Sequence, residues 1–219
     1  MEKLLAMPSK ILILGGTAEA RDIAALLIAG GHDVTSSLAG VTTQPIMPKG
    51  KTRIGGFGGV VGLRDYLNSE NVEVVVDATH PFAALMSANA AAAIINTPTR
   101  LLRFERPAWL PSAGDNWHSV DNIQLAADCL PSGARAFVTT GRKELQPFFQ
   151  RDDIGGVVRT VELPHNDVPI AWRVILERPP QTLESELALF ENEKFTHLIS
   201  KNAGGSATQT KLIAARTLN

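Results

Sequence analysis

Three consecutive valines, Val74–Val76, run straight into Asp77-Ala78-Thr79-His80-Pro81-Phe82. β-branched residues in a row read as a buried strand. An acid, a hydroxyl, an imidazole and an aromatic ring follow it at once. In an open parallel α/β sheet, ligands bind at the carboxyl ends of strands. His80 is therefore the candidate proton donor or orienting group, because an imidazole changes charge near neutrality. The plainer reading is a turn histidine. Pro81 then sits in the first turn of the next helix, which Thr79 or Asp77 caps.

Other strand ends carry chemistry too. Gly15-Gly16-Thr17-Ala18-Glu19-Ala20-Arg21 joins the first strand to the first helix. Glycines there let backbone N–H groups approach a phosphate, and a helix N-terminus favours an anion. The third glycine of G-x-G-x-x-G is missing, and no Walker lysine follows, so a plain tight turn competes with nucleotide binding. The second strand ends in Ser36-Ser37-Leu38-Ala39-Gly40, with no acid to hold a ribose 2′-hydroxyl. Hydroxyls of Ser36, Ser37, Thr42 and Thr43 suit a 2′-phosphate, which favours NADPH, with NADH as the alternative. Gly55-Gly56-Phe57-Gly58-Gly59 is a ligand-hugging or simply flexible loop. In the second half, Thr139-Thr140-Gly141-Arg142 and Ser200-Lys201-Asn202-Ala203-Gly204-Gly205 place hydroxyls, glycine and a cation at strand ends. Arg142 and Lys201 suit carboxylates or phosphates. Arg103, Glu105, Arg106 and Trp109 form a charged and aromatic cluster, for which internal salt bridging is the alternative.

These groups need a scaffold, and the chain spells one by alternation. Strands are expected at Ile11–Leu14, Asp33–Leu38, Thr52–Ile54, Val72–Val76 and Thr99–Phe104, with helices at Ala18–Ala29, Val60–Ser69 and Ala83–Asn96. The second half continues with a helix at Asp121–Leu130, a strand at Ala136–Thr140 and a short helix after Lys143. Strands at Val157–Glu162 and Trp172–Leu176, a helix at Thr182–Glu193, a strand at Thr196–Ser200 and a helix at Ser206–Leu218 capped by Ser206 follow. The order predicts an α/β fold with parallel sheets and helices on both faces. The boundary is expected at Pro131–Gly133, giving an N-terminal dinucleotide-binding domain (1–131) and a smaller α/β domain (132–219).

Composition narrows the classes. The 219 residues carry a net charge of −1 and no basic run, which argues against nucleic-acid binding. Cys129, the only cysteine, falls in the apolar phase of a helix and reads as a small core residue. No apolar run reaches the ~20 residues that span a bilayer. Residues 1–10 lack a secretory pattern, so a cytoplasmic protein is expected. The histidines lack metal-ligand spacing, and no metal site is expected.

Taken in order, Ile13–Arg21, Ser37–Gly40, Gly55–Gly59, Asp77–Phe82 with Ser87–Ala90, Arg106–Trp109, Thr139–Arg142, Ser200–Asn202 with Gly204-Gly205, and Lys211 with Ala214–Arg216 resemble the precorrin-6A reductase family, cobalt-precorrin-6A reductases included. The resemblance implies two Rossmann-like domains, with cofactor and substrate in the cleft between them. It implies hydride transfer from a reduced nicotinamide cofactor to one double bond of the precorrin-6A macrocycle, a tetrapyrrole-derived polycarboxylate, giving precorrin-6B. Gly15, Gly16, Thr17, Glu19, Ala20, Arg21, Ser37, Ala39, Gly40 and Thr79 are then the cofactor-binding set. Phe82, Arg106, Trp109, Thr140, Gly141, Arg142, Lys201, Asn202, Gly204 and Gly205 are the substrate-binding set. Three departures stand out: Val41 where the family has arginine, Ala203 where it has serine, and a chain ending at Asn219, before a further strand. The rival is a non-catalytic nucleotide-sensing domain, which needs no cations in the second half. A short-chain reductase would need Tyr-x-x-x-Lys, and Tyr66 is followed at that spacing by Glu70.

Overall fold

A computed structural model describes residues 7–40 and 42–218. The expectations for residues 1–10 fall largely, and those for Val41 and Asn219 wholly, outside these. The chain divides into two compact units, Met1–Arg106 and Pro107–Asn219.

The first unit runs β1 (Lys10–Leu14), α1 (Ala18–Ala29), β2 (Asp33–Leu38), β3 (Lys51–Ile54), α2 (Gly59–Ser69), β4 (Val74–Asp77), α3 (Ala84–Ala93), β5 (Arg100–Arg103). All strands are parallel, in the order β3-β2-β1-β4-β5. Strand alternation sorts the core. Ile11 and Ile13 pack with Ala20 and Ala24 of α1, whereas Leu12 and Leu14 pack with Leu63, Leu67, Ala90 and Ala93 of α2 and α3. Both faces are thus covered, as an all-parallel sheet requires.

The second unit runs α4 (Ile123–Asp128), β6 (Arg135–Val138), α5 (Gln146–Phe149), β7 (Gly155–Thr160), β8 (Trp172–Leu176), α6 (Leu183–Glu193), β9 (His197–Ile199), α7 (Thr210–Thr217). Its parallel sheet has the order β8-β7-β6-β9. Counting strands within the unit, this is 3-2-1-4, the same winding as in the first. Ala136 and Val138 face Phe148 and Trp172, and Phe137 faces Phe190 and Ala214. The expected α/β class with two Rossmann-like parallel sheets is what the chain forms.

Four local expectations are corrected. The division falls after Arg106 rather than at Pro131–Gly133. Ala127 and Leu130 share a core with Ala136, and Arg151 donates to the carbonyls of both, at 2.8 and 2.7 Å, so α4 belongs with the sheet that follows it. Cys129 is exposed, because α4 ends at Asp128 and the thiol sits at the cap, past the buried face. Ser206 does not cap the last helix; residues 205–208 bend and turn instead, and α7 starts at Thr210 after Gln209. Pro81 lies in a turn ahead of α3, and neither Thr79 nor Asp77 caps that helix. No helix among the described residues is long and apolar enough to cross a membrane.

Candidate active site

In each unit the strand order reverses once, beside the first strand of the sheet. Ligands bind in the crevice outside the carboxyl ends of the strands at such a point. In the first unit the two flanking loops are Gly15–Thr17, after β1, and Ala78–Phe82, after β4. In the second they are Thr139–Arg142, after β6, and Ser200–Gly205, after β9. Four of the sequence clusters therefore land on the two switch points.

The first turn is tied to both neighbouring strands. The Gly15 amide donates to the Ser37 carbonyl at 2.9 Å, and the Ala78 amide donates to the Leu14 carbonyl at 3.0 Å. Thr17 caps α1, its Oγ1 accepting from the Ala20 amide at 3.1 Å while donating to the Ala78 carbonyl at 2.8 Å. Arg21 folds back onto the Thr17 carbonyl at 3.2 Å. Gly16 has φ +111°, and a Cβ built there would meet no atom within 4 Å. Backbone open to a ligand, ahead of a three-turn helix whose dipole favours negative charge, fits a dinucleotide pyrophosphate.

Asp77 is buried, and its Oδ1 accepts from the Thr79 amide at 3.2 Å and the Thr79 hydroxyl at 2.7 Å. It fixes the turn and leaves His80 and Phe82 on the surface. His80 Nδ1 accepts from the Phe82 amide at 3.2 Å, which leaves the ring proton on Nε2. The imidazole thus serves the turn that precedes α3.

Each expected substrate cation stands against a glutamate. Arg106 pairs with Glu19 at 3.0 Å, Arg142 with Glu162 at 2.9 Å and Lys201 with Glu144 at 2.7 Å. All three already hold a carboxylate of the protein itself. The Arg103–Trp109 cluster is not brought together. Arg103 pairs with Glu105, Arg106 turns to Glu19, and Trp109 joins the loop after β9.

Trp109 is locked there by three bonds. Its amide donates to Asn202 Oδ1 at 2.8 Å, its carbonyl accepts from Asn202 Nδ2 at 2.9 Å, and its indole N–H donates to the Gly205 carbonyl at 2.8 Å. Gly141, Gly204 and Gly205 have φ of +98°, +64° and +76°, backbone that other residues rarely adopt. Thr140 is buried, and its hydroxyl has no protein partner among the described residues.

Two residues escaped the sequence reading. Lys211 of α7 is buried, with Nζ 5.5 Å from the centre of the Trp109 ring, and burial lowers its pKa to about 8. A cation three residues before the fully buried Ala214 was the available signal. Arg53 of β3 lies opposite Ser37, and only the register of β2 and β3 reveals that.

Comparison with known proteins identifies the family. The family model "Precorrin-6x reductase CbiJ/CobK" matches residues 10–219. The chain belongs to that family. It is 43% identical over 212 residues to precorrin-6A reductase of Rhodobacter capsulatus, spanning 96% of this chain and 84% of that protein. With the cobalt-precorrin-6A reductase of Priestia megaterium it shares 28% over 218 residues, covering 94% and 85%. A solved structure, "CobK precorrin-6A reductase", superposes with a TM-score of 0.90 at 43% identity, covering 96% of this chain and 84% of that one. Family membership makes the protein a reductase that uses a nicotinamide cofactor.

Proposed function

We propose that this protein reduces a carbon–carbon double bond of the precorrin-6A macrocycle with NADPH, giving precorrin-6B in cobalamin biosynthesis. The observation that carries the reading is the 43% identity to a precorrin-6A reductase across 96% of the chain. The lower identity to the cobalt-precorrin enzyme favours the metal-free substrate. A cytoplasmic setting suits the single cysteine.

Gly15, Gly16 and Thr17 hold the cofactor pyrophosphate, with Glu19, Ala20 and Arg21 forming the helix start behind it. Ser37, Ala39 and Gly40 line its adenosine ribose, and Thr79 closes the turn from β4. A reduced nicotinamide bound there supplies the hydride. The macrocycle takes that hydride at one ring carbon and needs a proton at its neighbour. His80, whose Nδ1 accepts from the Phe82 amide, delivers or orients that proton. Phe82 and Trp109 meet the ring faces. Arg106, Arg142 and Lys201 bind the peripheral carboxylates, and Thr140, Gly141, Asn202, Gly204 and Gly205 shape the loops that hold them. Charge-assisted bonds of this kind orient a polycarboxylate and stabilise charge that develops on reduction.

The test is steady-state kinetics of Arg142→Ala and Lys201→Ala. Each should raise KM for the macrocycle by roughly tenfold and leave the NADPH dissociation constant unchanged. A loss of NADPH affinity with an unaltered macrocycle KM would overturn the assignment.

A further inference from the structure

The end of β2 carries no charge of its own. Its residues are Ser36, Ser37 and Leu38, then Ala39 and Gly40, and the next residue in the sequence is Val41. The cation at this edge comes from the neighbouring strand. In the parallel register Arg53 of β3 lies opposite Ser37. Arg53 Nη1 donates to Ser37 Oγ at 2.8 Å and to the Gly55 carbonyl at 2.9 Å, and Nη2 donates to the Gly56 carbonyl at 3.0 Å. Its guanidinium carbon lies 3.7 Å from the centre of the Phe57 ring. Phe57 in turn meets Tyr66 edge-on at 5.2 Å. The side chain is therefore held by its hydrogen bonds and by an aromatic ring on one face.

The hydrogen-bond partners of that guanidinium, Ser37, Gly55 and Gly56, are all neutral. Among the described residues Arg53 makes no ion pair, so its full charge stands at the strand edge. A guanidinium has five N–H groups. The three bonds leave Nε–H and one Nη2 hydrogen without a protein acceptor among the described residues. A fixed planar fork with two hydrogens to give suits a phosphate. The carboxyl end of the second strand is where this topology brings a dinucleotide's adenosine ribose, and a nearby arginine there accepts a 2′-phosphate. The hydroxyl of Ser37, already bound to Arg53, adds a second polar group to the same edge.

We propose that Arg53 is the residue that makes this protein select NADPH over NADH, by binding the 2′-phosphate from the neighbouring strand. The proposal rests on the nicotinamide reading above and deepens it. Its rival is a purely structural arginine that ties down the Gly55–Gly56 carbonyls.

Calorimetric titration separates the two. NADPH, NADH, adenosine 2′,5′-bisphosphate and ADP are titrated into the wild type, Arg53→Met and Arg53→Lys. The wild type should bind NADPH about 10- to 100-fold more tightly than NADH, and the bisphosphate more tightly than ADP. Arg53→Met should lose that preference while keeping its affinity for NADH and ADP within about twofold. Arg53→Lys, which keeps a point charge, should recover part of it. Equal binding of NADPH and NADH by the wild type, or an equal loss of both in Arg53→Met, overturns the proposal and leaves the nicotinamide reading standing. Binding of neither nucleotide by the folded wild type overturns both.

Discussion

Arg106 holds its Nη1 3.0 Å from the Glu19 carboxylate, joining the residue that ends the first unit to the first turn of α1. Both side chains are mostly shielded, at 14% and 25% exposure, so the pair is worth more than an open surface bridge. If Arg106 also binds substrate, its two replacements part company. Arg106→Ala should raise the macrocycle KM by roughly tenfold, whereas Glu19→Gln should leave it unchanged or lower it. A purely structural pair would instead lower the melting temperature in both variants and leave KM alone in both.

Gly62 lies within α2, where alanine would ordinarily gain about 1 kcal/mol of helix propensity. Here a Cβ would stand 1.8 Å from the carbonyl oxygen of Phe57. Backbone has to move to relieve that overlap, and the clash outweighs the propensity. Gly62→Ala should destabilise the protein by ~2 kcal/mol or more in denaturant unfolding. It should also weaken NADPH binding, because Phe57 supports Arg53. An unchanged or raised stability would show that the loop is not held where the geometry has it.

Lys211 ties stability to alkaline pH. Burial, the largest cause, and the nearby Arg159 guanidinium lower its pKa to about 8, while the Glu186 carboxylate opposes them. The unfolded chain holds this proton up to about pH 10.5, and the folded one releases it near pH 8. Between those limits the unfolded state binds more protons, so this group's contribution to stability rises with pH. The wild type should gain about 3 kcal/mol on Lys211→Met across that interval. A pH-independent difference between the two unfolding curves would contradict the assignment. Asp115 acts at the other end. The Arg216 guanidinium and the Ser112 amide hold its carboxyl below the usual range, so its stabilising effect is present at neutral pH and fades only in acid. Asp115→Asn should therefore be less stable than the wild type at neutral pH, with the gap closing on acidification.

The sequence made the strand ends legible because their signals are local. Glycine clusters and the Val74–Val76 run need no knowledge of distant residues. Partners were hidden wherever they lie far apart along the chain. Arg106 and Glu19 are 87 residues apart, and neither spacing nor composition joins them. Arg53 falls in the expected strand Thr52–Ile54, but only the pairing with β2 puts it opposite Ser37. The burial of Lys211 was hidden as well, since the fold around Trp109 sets it. The boundary was misplaced because Pro131–Gly133 has turn chemistry, while α4 before it packs with the sheet after it. Propensity marks breaks in the chain, but packing decides which side of a break an element joins.

The central claim is direct hydride transfer from the nicotinamide to the macrocycle. It is tested by one turnover of precorrin-6A with NADPH carrying deuterium at the transferred position, the product being read by mass spectrometry and NMR. The account predicts a dihydro product with one deuterium on a ring carbon, the second new hydrogen coming from solvent, and one NADPH consumed per macrocycle. A reduced product without that deuterium, or NADPH left intact beside unchanged precorrin-6A, would contradict it.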